Sequence, residues 1–236
     1  MQVRRENQRS IKKAVSIAGI GLHTGVQTRM TFKPAAQNTG IRFLRTDAPN
    51  AKPIPADIDH VVDISRGTTL EHNGSRIHTT EHVLAAVSGL EIDNILIELD
   101  NKEPPVMDGS AMPFVEILLD AGFEEQDAAR EYLVLDKTIT YSDPEKGVDI
   151  HALPSNQFRV TFLIDYKLQS LGTQYMSFYS LEQDFVEQIA PARTFCFLHE
   201  VEELKAQGLI KGGSADTALV MIDRKIEESE LDRLQK

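Results

Sequence analysis

The sequence predicts an α+β fold, and three features predict it. Strand-like alternation, as at Val26, Thr28, Met30 and Phe32, stands apart from helix-like apolar spacing instead of interleaving with it. Asn73-Gly74, between Leu70 and Ile77, is the turn dipeptide of a tight hairpin between antiparallel strands. Each half of the chain runs through strands first and helices afterwards, the order of α+β rather than α/β architecture.

The elements follow in order. The run from Val26 to Phe32 is a half-buried strand, and residues 40–44 and 68–70 are two more, the last carried back by the Asn-Gly turn. A helix beginning at Glu81 takes Val83, Leu84, Ala86, Val87 and Leu90 on its apolar side and stops near Gly89. Ile95, Ile97 and Leu99 alternate as the next strand. Ser110 is placed to cap a second helix through Phe114, Val115, Leu118 and Leu119, ended by Gly122. The acidic stretch 124–131 reads as a solvated separator, so the division between domains is set near residues 128–131, as 1–130 and 131–236. Beyond it, strands are expected at 132–139, 148–152, 158–164 and 174–179, helices at 181–189 and 199–207, and a last strand at 217–222. No internal repeat is visible in the residues themselves.

Composition narrows the function. At 236 residues the chain holds one large domain or two small ones. A hydrophobic content of 41% with 26% charged residues is that of a globular protein. No apolar run approaches the roughly 20 residues of a membrane helix, and the first ten residues are too charged for a signal peptide. The single cysteine, Cys196, excludes an internal disulfide and fits a reducing, cytoplasmic location. A net charge of −11 argues against a nucleic-acid partner, which needs clustered Lys and Arg.

Thr79-Thr80-Glu81-His82 is the stretch that points to chemistry. A metal-assisted hydrolase needs a neutral imidazole to hold the ion and a carboxylate beside it to take a proton from water. Alone, the pair also fits an ordinary helix start, with Thr as cap and Glu in a favourable first turn. Its flanks add weight. Gly19-Ile20-Gly21-Leu22-His23-Thr24-Gly25 lies upstream; Glu91-Ile92-Asp93-Asn94, Met107-Asp108-Gly109-Ser110, Ala192-Arg193-Thr194-Phe195 and Gly208-Leu209-Ile210-Lys211-Gly212-Gly213-Ser214 follow. In this order and spacing the blocks resemble the UDP-3-O-acyl-N-acetylglucosamine deacetylases, zinc enzymes of lipid A synthesis, over nearly the whole chain.

The resemblance implies two similar α+β domains, each a sheet with helices, packed as a sandwich with the helices between the sheets. It implies a Zn2+ cofactor, with His82 as one ligand, Glu81 as general base and Thr194 as the hydroxyl that steadies the oxyanion. It places an acyl-chain passage along Leu22, Val201, Ile210, Gly213, Ser214 and Val220, and Phe195 beside the substrate, although ordinary core packing explains several of these equally well. His23 is expected beside the active site. The remaining ligands and a general-acid histidine belong to His-Lys-x-x-Asp and Ser-Gly-His segments that do not occur in the sequence and are expected just past Lys236. The expected partner is UDP-3-O-acyl-N-acetylglucosamine, acted on by a monomer with no membrane span; the alternative is a truncated, non-catalytic chain that binds nucleotide-sugar weakly. Gly212-Gly213-Ser214 lacks the full pattern of a phosphate loop, and Lys211 is expected to be exposed.

Overall fold

A computed structural model describes residues 6–156, 158–168, 171–179, 184–225 and 227. The chain opens with β1 (Asn7–Ile11), β2 (Val15–Ile20), β3 (Gln27–Pro34), β4 (Ile41–Arg45) and β5 (Ile54–Pro55). A single 3-10 turn (Ile58–His60) leads into β6 (Val61–Asp63), β7 (Thr69–His72) and β8 (Ser75–Ile77). Helix α1 (Glu81–Gly89), β9 (Ile95–Leu99), α2 (Met112–Ala121) and β10 (Phe123–Ala129) follow. The mixture is α+β, as the element order predicts.

Five strands form the main sheet, in the order β2-β3-β9-β4-β5. Register explains its buried face. Met30 pairs with Leu99 and Phe32 with Ile97 across β3 and β9, and Phe43 of β4 stands opposite Ile97 on the other side. Paired residues project to the same face, so these side chains form one apolar layer. They are fully buried, together with Val83, Ala86 and Val87 of α1 and Phe114, Val115 and Leu118 of α2. Thr28 lies in the same layer, whereas Val26 falls outside β3 and is exposed. The β7–β8 hairpin has the predicted turn, with Asn73 and Gly74 both at positive φ, as a type I′ connection requires.

The acidic separator is a strand. β10 pairs antiparallel with β1, bringing Ile11 opposite Phe123 and Arg9 opposite Glu125. The sheet partner satisfies its backbone, and the Arg9 guanidinium lies 4.2 Å over the Phe123 ring, so the acids stay on the solvent side without preventing the strand. Arg130, just past its end, is held by Glu91 at 2.9 Å and Asp93 at 2.8 Å. The strand expected at 132–139 does not form over that range: Leu133 and Val134 are exposed, and pairing starts only at Ile139.

The second half contributes two hairpins, β11 (Ile139–Asp143) with β12 (Val148–Ala152), and β13 (Val160–Asp165) with β14 (Thr173–Phe178). Their apolar side chains, Ile150, Phe162, Leu163 and Tyr175 among them, are exposed. Residues 181–183 of the expected helix 181–189 lie outside the described residues, and Phe185–Ile189 forms one π-helical turn. Parallel strands β15 (Phe195–Phe197) and β16 (Leu219–Met221) flank α3 (Leu198–Ala206). Phe185 and Ala190 are buried in the core of the first half, where the Ala111 N–H donates to the Ala190 carbonyl at 3.1 Å.

Candidate active site

Helix α1 begins at the pair singled out by its chemistry. Thr80 precedes it, but its hydroxyl does not cap: Oγ1 donates to the Thr68 carbonyl at 3.0 Å, and the Thr80 N–H reaches the same oxygen at 3.1 Å. Both groups of the fully buried Thr80 are spent anchoring the helix start to Thr68, the residue just ahead of β7. The plain-cap reading is therefore not the one the fold uses. The Thr68 N–H donates to Glu81 Oε2 at 2.8 Å, which fixes the carboxylate at the mouth of the helix. Gly67, with φ near 151°, lets the loop pass there; a Cβ on it would come within 3.0 Å of Glu81 Oε1.

His82 follows on the next position. Burial pushes its imidazole toward the neutral form, against the opposing pull of the Glu81 and Asp108 carboxylates. Asp108 is turned in place by Ser110, whose N–H and Oγ–H both donate to its Oδ1, at 3.0 and 2.8 Å. Ser110 also accepts from the Met112 N–H at 3.1 Å, so it serves the first turn of α2 from one residue before the cap position.

Thr194 arrives from the other half of the chain. Its N–H donates to the Gly109 carbonyl at 2.7 Å, and its own carbonyl accepts from the Leu219 N–H at 2.9 Å. Gly109 has φ near 83° and leaves no room for a side chain against Thr217. Arg193 reinforces the join, donating from Nε to the Asp108 carbonyl at 2.6 Å and from Nη2 to the Ala215 carbonyl at 3.0 Å. Thr194 is thus tied by its backbone to the Asp108–Gly109 turn, whose Asp108 carboxylate acts electrostatically on His82.

The expected passage residues fall into separate groups. The Gly212 N–H donates to the Leu22 carbonyl at 3.0 Å, and Gly213 follows Ile210 in a tight turn, with Ile210 itself at φ near 47°. Ser214 closes that loop, its N–H donating to Thr217 Oγ1 at 2.8 Å. Phe195 is 42% exposed and packs edge-on against Phe197 and Tyr166, while Val220 stands opposite Cys196 on β16. Val201 is buried between Leu198 and Leu204 on α3, a core position.

The other histidines separate cleanly. His60 lies between Asp57 and His72, His151 beside Thr140, and the half-exposed His199 pairs with Asp223. His78 sits just past β8, its Nδ1 3.1 Å from Thr69 Oγ1. Only His23 has both ring nitrogens buried with no hydrogen-bond partner among the described residues. One residue that pattern reading missed is Glu103: fully buried, it accepts hydrogen bonds from His23, Thr24 and Thr79. Nothing in its local sequence sets it apart from a loop acid.

A half-buried imidazole held toward its neutral form, as at His82, suits one position around a zinc-type cation. Among the described residues, no group of three or more His, Cys, Asp and Glu side chains converges to complete such a site. No helix among them is long and apolar enough to cross a membrane.

The sequence profile of the UDP-3-O-acyl N-acetylglycosamine deacetylase family matches residues 8–235. The chain is 51% identical over 228 residues to a protein of Chlorobaculum tepidum named bifunctional enzyme LpxC/FabZ, which takes in 97% of this chain and 49% of that protein. It is 44% identical to the UDP-3-O-acyl-N-acetylglucosamine deacetylase of Actinobacillus succinogenes, over 94% of this chain and 73% of that one. With the protein of the same name from Myxococcus xanthus the identity is 41%, over 91% and 68% respectively. The chain spans just under half the length of the first of these relatives.

Proposed function

The chain belongs to the UDP-3-O-acyl N-acetylglycosamine deacetylase family, and from that premise we propose that it carries the general base, one metal ligand and the oxyanion hydroxyl of a zinc-dependent amide hydrolase. The substrate is UDP-3-O-acyl-N-acetylglucosamine, and the reaction releases acetate in lipid A synthesis. The observation that carries this reading is Glu81 fixed by a backbone N–H beside a burial-neutralised His82, with Thr194 tied to the Asp108 turn.

In this proposal His82 holds the metal through a neutral imidazole. Zinc, when bound, supplies a Lewis acid that acidifies water and polarises the amide carbonyl. Glu81 takes the proton of the attacking water at its carboxylate, with Oε2 anchored on Thr68 so that the group does not swing away. Thr194 donates its hydroxyl to the oxygen that becomes negative as the carbonyl carbon turns tetrahedral. A proton equivalent to the one Glu81 took is then delivered to the amide nitrogen as the C–N bond breaks, so acetate leaves and the sugar keeps its 2-amine. Leu22, Phe195, Ile210, Gly213, Ser214 and Val220 are proposed to meet the acyl chain; the burial of Val201 supports a role behind that lining. We assign the work to the cytoplasm, to a monomer, and to two domains divided after residue 130.

The test is acetate release from UDP-3-O-acyl-N-acetylglucosamine before and after chelation. Release abolished by the chelator and restored by zinc is expected. Chelator-insensitive release would refute the metal, and no release from zinc-loaded protein would refute the activity.

A further inference from the structure

Glu103 is a carboxylate with no access to solvent, on the connection that leaves β9. A buried carboxylate is tolerated only when donors replace the water it has lost. Three do. The His23 N–H donates to Oε1 at 3.0 Å, the Thr24 N–H to Oε2 at 2.9 Å, and the Thr79 hydroxyl to Oε1 at 3.0 Å. Hydrogen bonds to an ionised acceptor are about twice as strong as neutral ones. The carboxylate therefore binds the 21–24 loop and Thr79 into one unit.

Thr79 is the unusual partner. It is β-branched yet sits at φ near 55°, a conformation that persists only when its surroundings enforce it. That left-handed residue turns the chain from β8 into α1, whose first two residues are Glu81 and His82. The neighbouring backbone joins in: the His78 N–H donates to the Lys102 carbonyl at 2.8 Å. On the other side, a Cβ at Gly21 would lie 2.6 Å from Glu103 Oε2, so only glycine lets the loop close on the carboxylate. The same loop carries Leu22, whose carbonyl receives the Gly212 N–H. The ring of His23 makes no hydrogen bond among the described residues, so its place is set through its backbone.

We propose that Glu103 is a positioning residue: by locking Thr79 in its left-handed turn and the 21–24 loop against it, it sets the placement of the Glu81–His82 pair relative to the acyl-side loop. The inference rests on the deacetylase reading and adds a residue to it. Substitutions of groups that orient a catalytic site cost about 10- to 100-fold in rate.

The experiment compares E103Q, T79V and T79S with wild-type protein. It measures kcat and KM, zinc per chain, thermal midpoint, and amide hydrogen exchange at His23 and Thr24 in metal-free protein. E103Q places an amide NH2 where a carboxylate oxygen received a backbone N–H. It should lower kcat per zinc-loaded molecule about 10- to 100-fold and speed exchange at His23 or Thr24 by ~10-fold or more. T79V keeps the shape and loses the hydroxyl. It should lower kcat while leaving exchange at Thr24 near wild type, and T79S should restore the rate. Equal kcat in T79V, T79S and wild type would overturn the proposal, as would an E103Q loss accounted for wholly by its zinc-loaded, folded fraction. If wild-type protein releases no acetate, the deacetylase reading fails on its own; unaltered exchange in E103Q would then separately overturn the hold of Glu103 on the loop.

Discussion

Replacing Gly89 by alanine drives a methyl group onto the ring of Phe185. A Cβ built at Gly89 overlaps Cδ1, Cε1 and Cγ of that ring, well inside the 3.0 Å that real Cβ atoms respect. The ring cannot step aside cheaply, since Phe185 is 4% exposed and lies in the core. Overpacking of this kind costs about 1–3 kcal/mol, reduced by the roughly 1 kcal/mol by which alanine favours a helix over glycine. Phe185→Ala alone should cost about 3–5 kcal/mol through lost burial and the cavity left behind. In the double variant the new methyl enters the vacated space and keeps its helix advantage, so Gly89→Ala changes sign and stabilises by about 1–2 kcal/mol. Urea unfolding of wild type, both single variants and the double variant closes the cycle. If Gly89→Ala costs the same in both backgrounds to within about 0.5 kcal/mol, the contact between α1 and the π-helical turn is not there.

Glu81→Ala should keep bound zinc and lose about 100- to 10,000-fold in turnover; metal analysis with initial rates on one preparation checks it, and a near-native rate removes Glu81 from the mechanism. Shortening the substrate's acyl chain should lower kcat/KM, and Ile210→Ala should shift the preferred chain length without opening the core, as Val201→Ala would; indifference to chain length rejects the passage. Burial first, and then Lys102, hold the His78 imidazole below its ordinary range, so the unfolded chain takes up a proton that the folded one refuses. Stability should be whole above about pH 6.5 and fall as the pH drops below it; His78→Gln should flatten that slope in urea midpoints, and an unchanged slope would reject the assignment.

The parts of this protein legible in its residues are those decided locally. Alternation at Thr28, Met30 and Phe32 is enough to define the buried face of β3, because a strand shows opposite sides to core and water whatever lies across from it. Asn73-Gly74 dictates its own turn through the positive φ that both residues tolerate. The start of α1 at Glu81 and its end at Gly89 follow from apolar spacing and a stop residue, and so the neighbouring carboxylate and imidazole are visible as a pair. What depended on distant partners was not. The acids of β10 became a strand because β1, more than a hundred residues earlier, offered its free edge. Thr80 was spent on Thr68 and not on capping. Glu103 was a loop acid until the fold buried it against His23, Thr24 and Thr79, between 24 and 80 positions away. Periodicity and turn chemistry are properties of a few adjacent residues; whether a polar group is buried, and which donors meet it, is decided by the segments that converge on it.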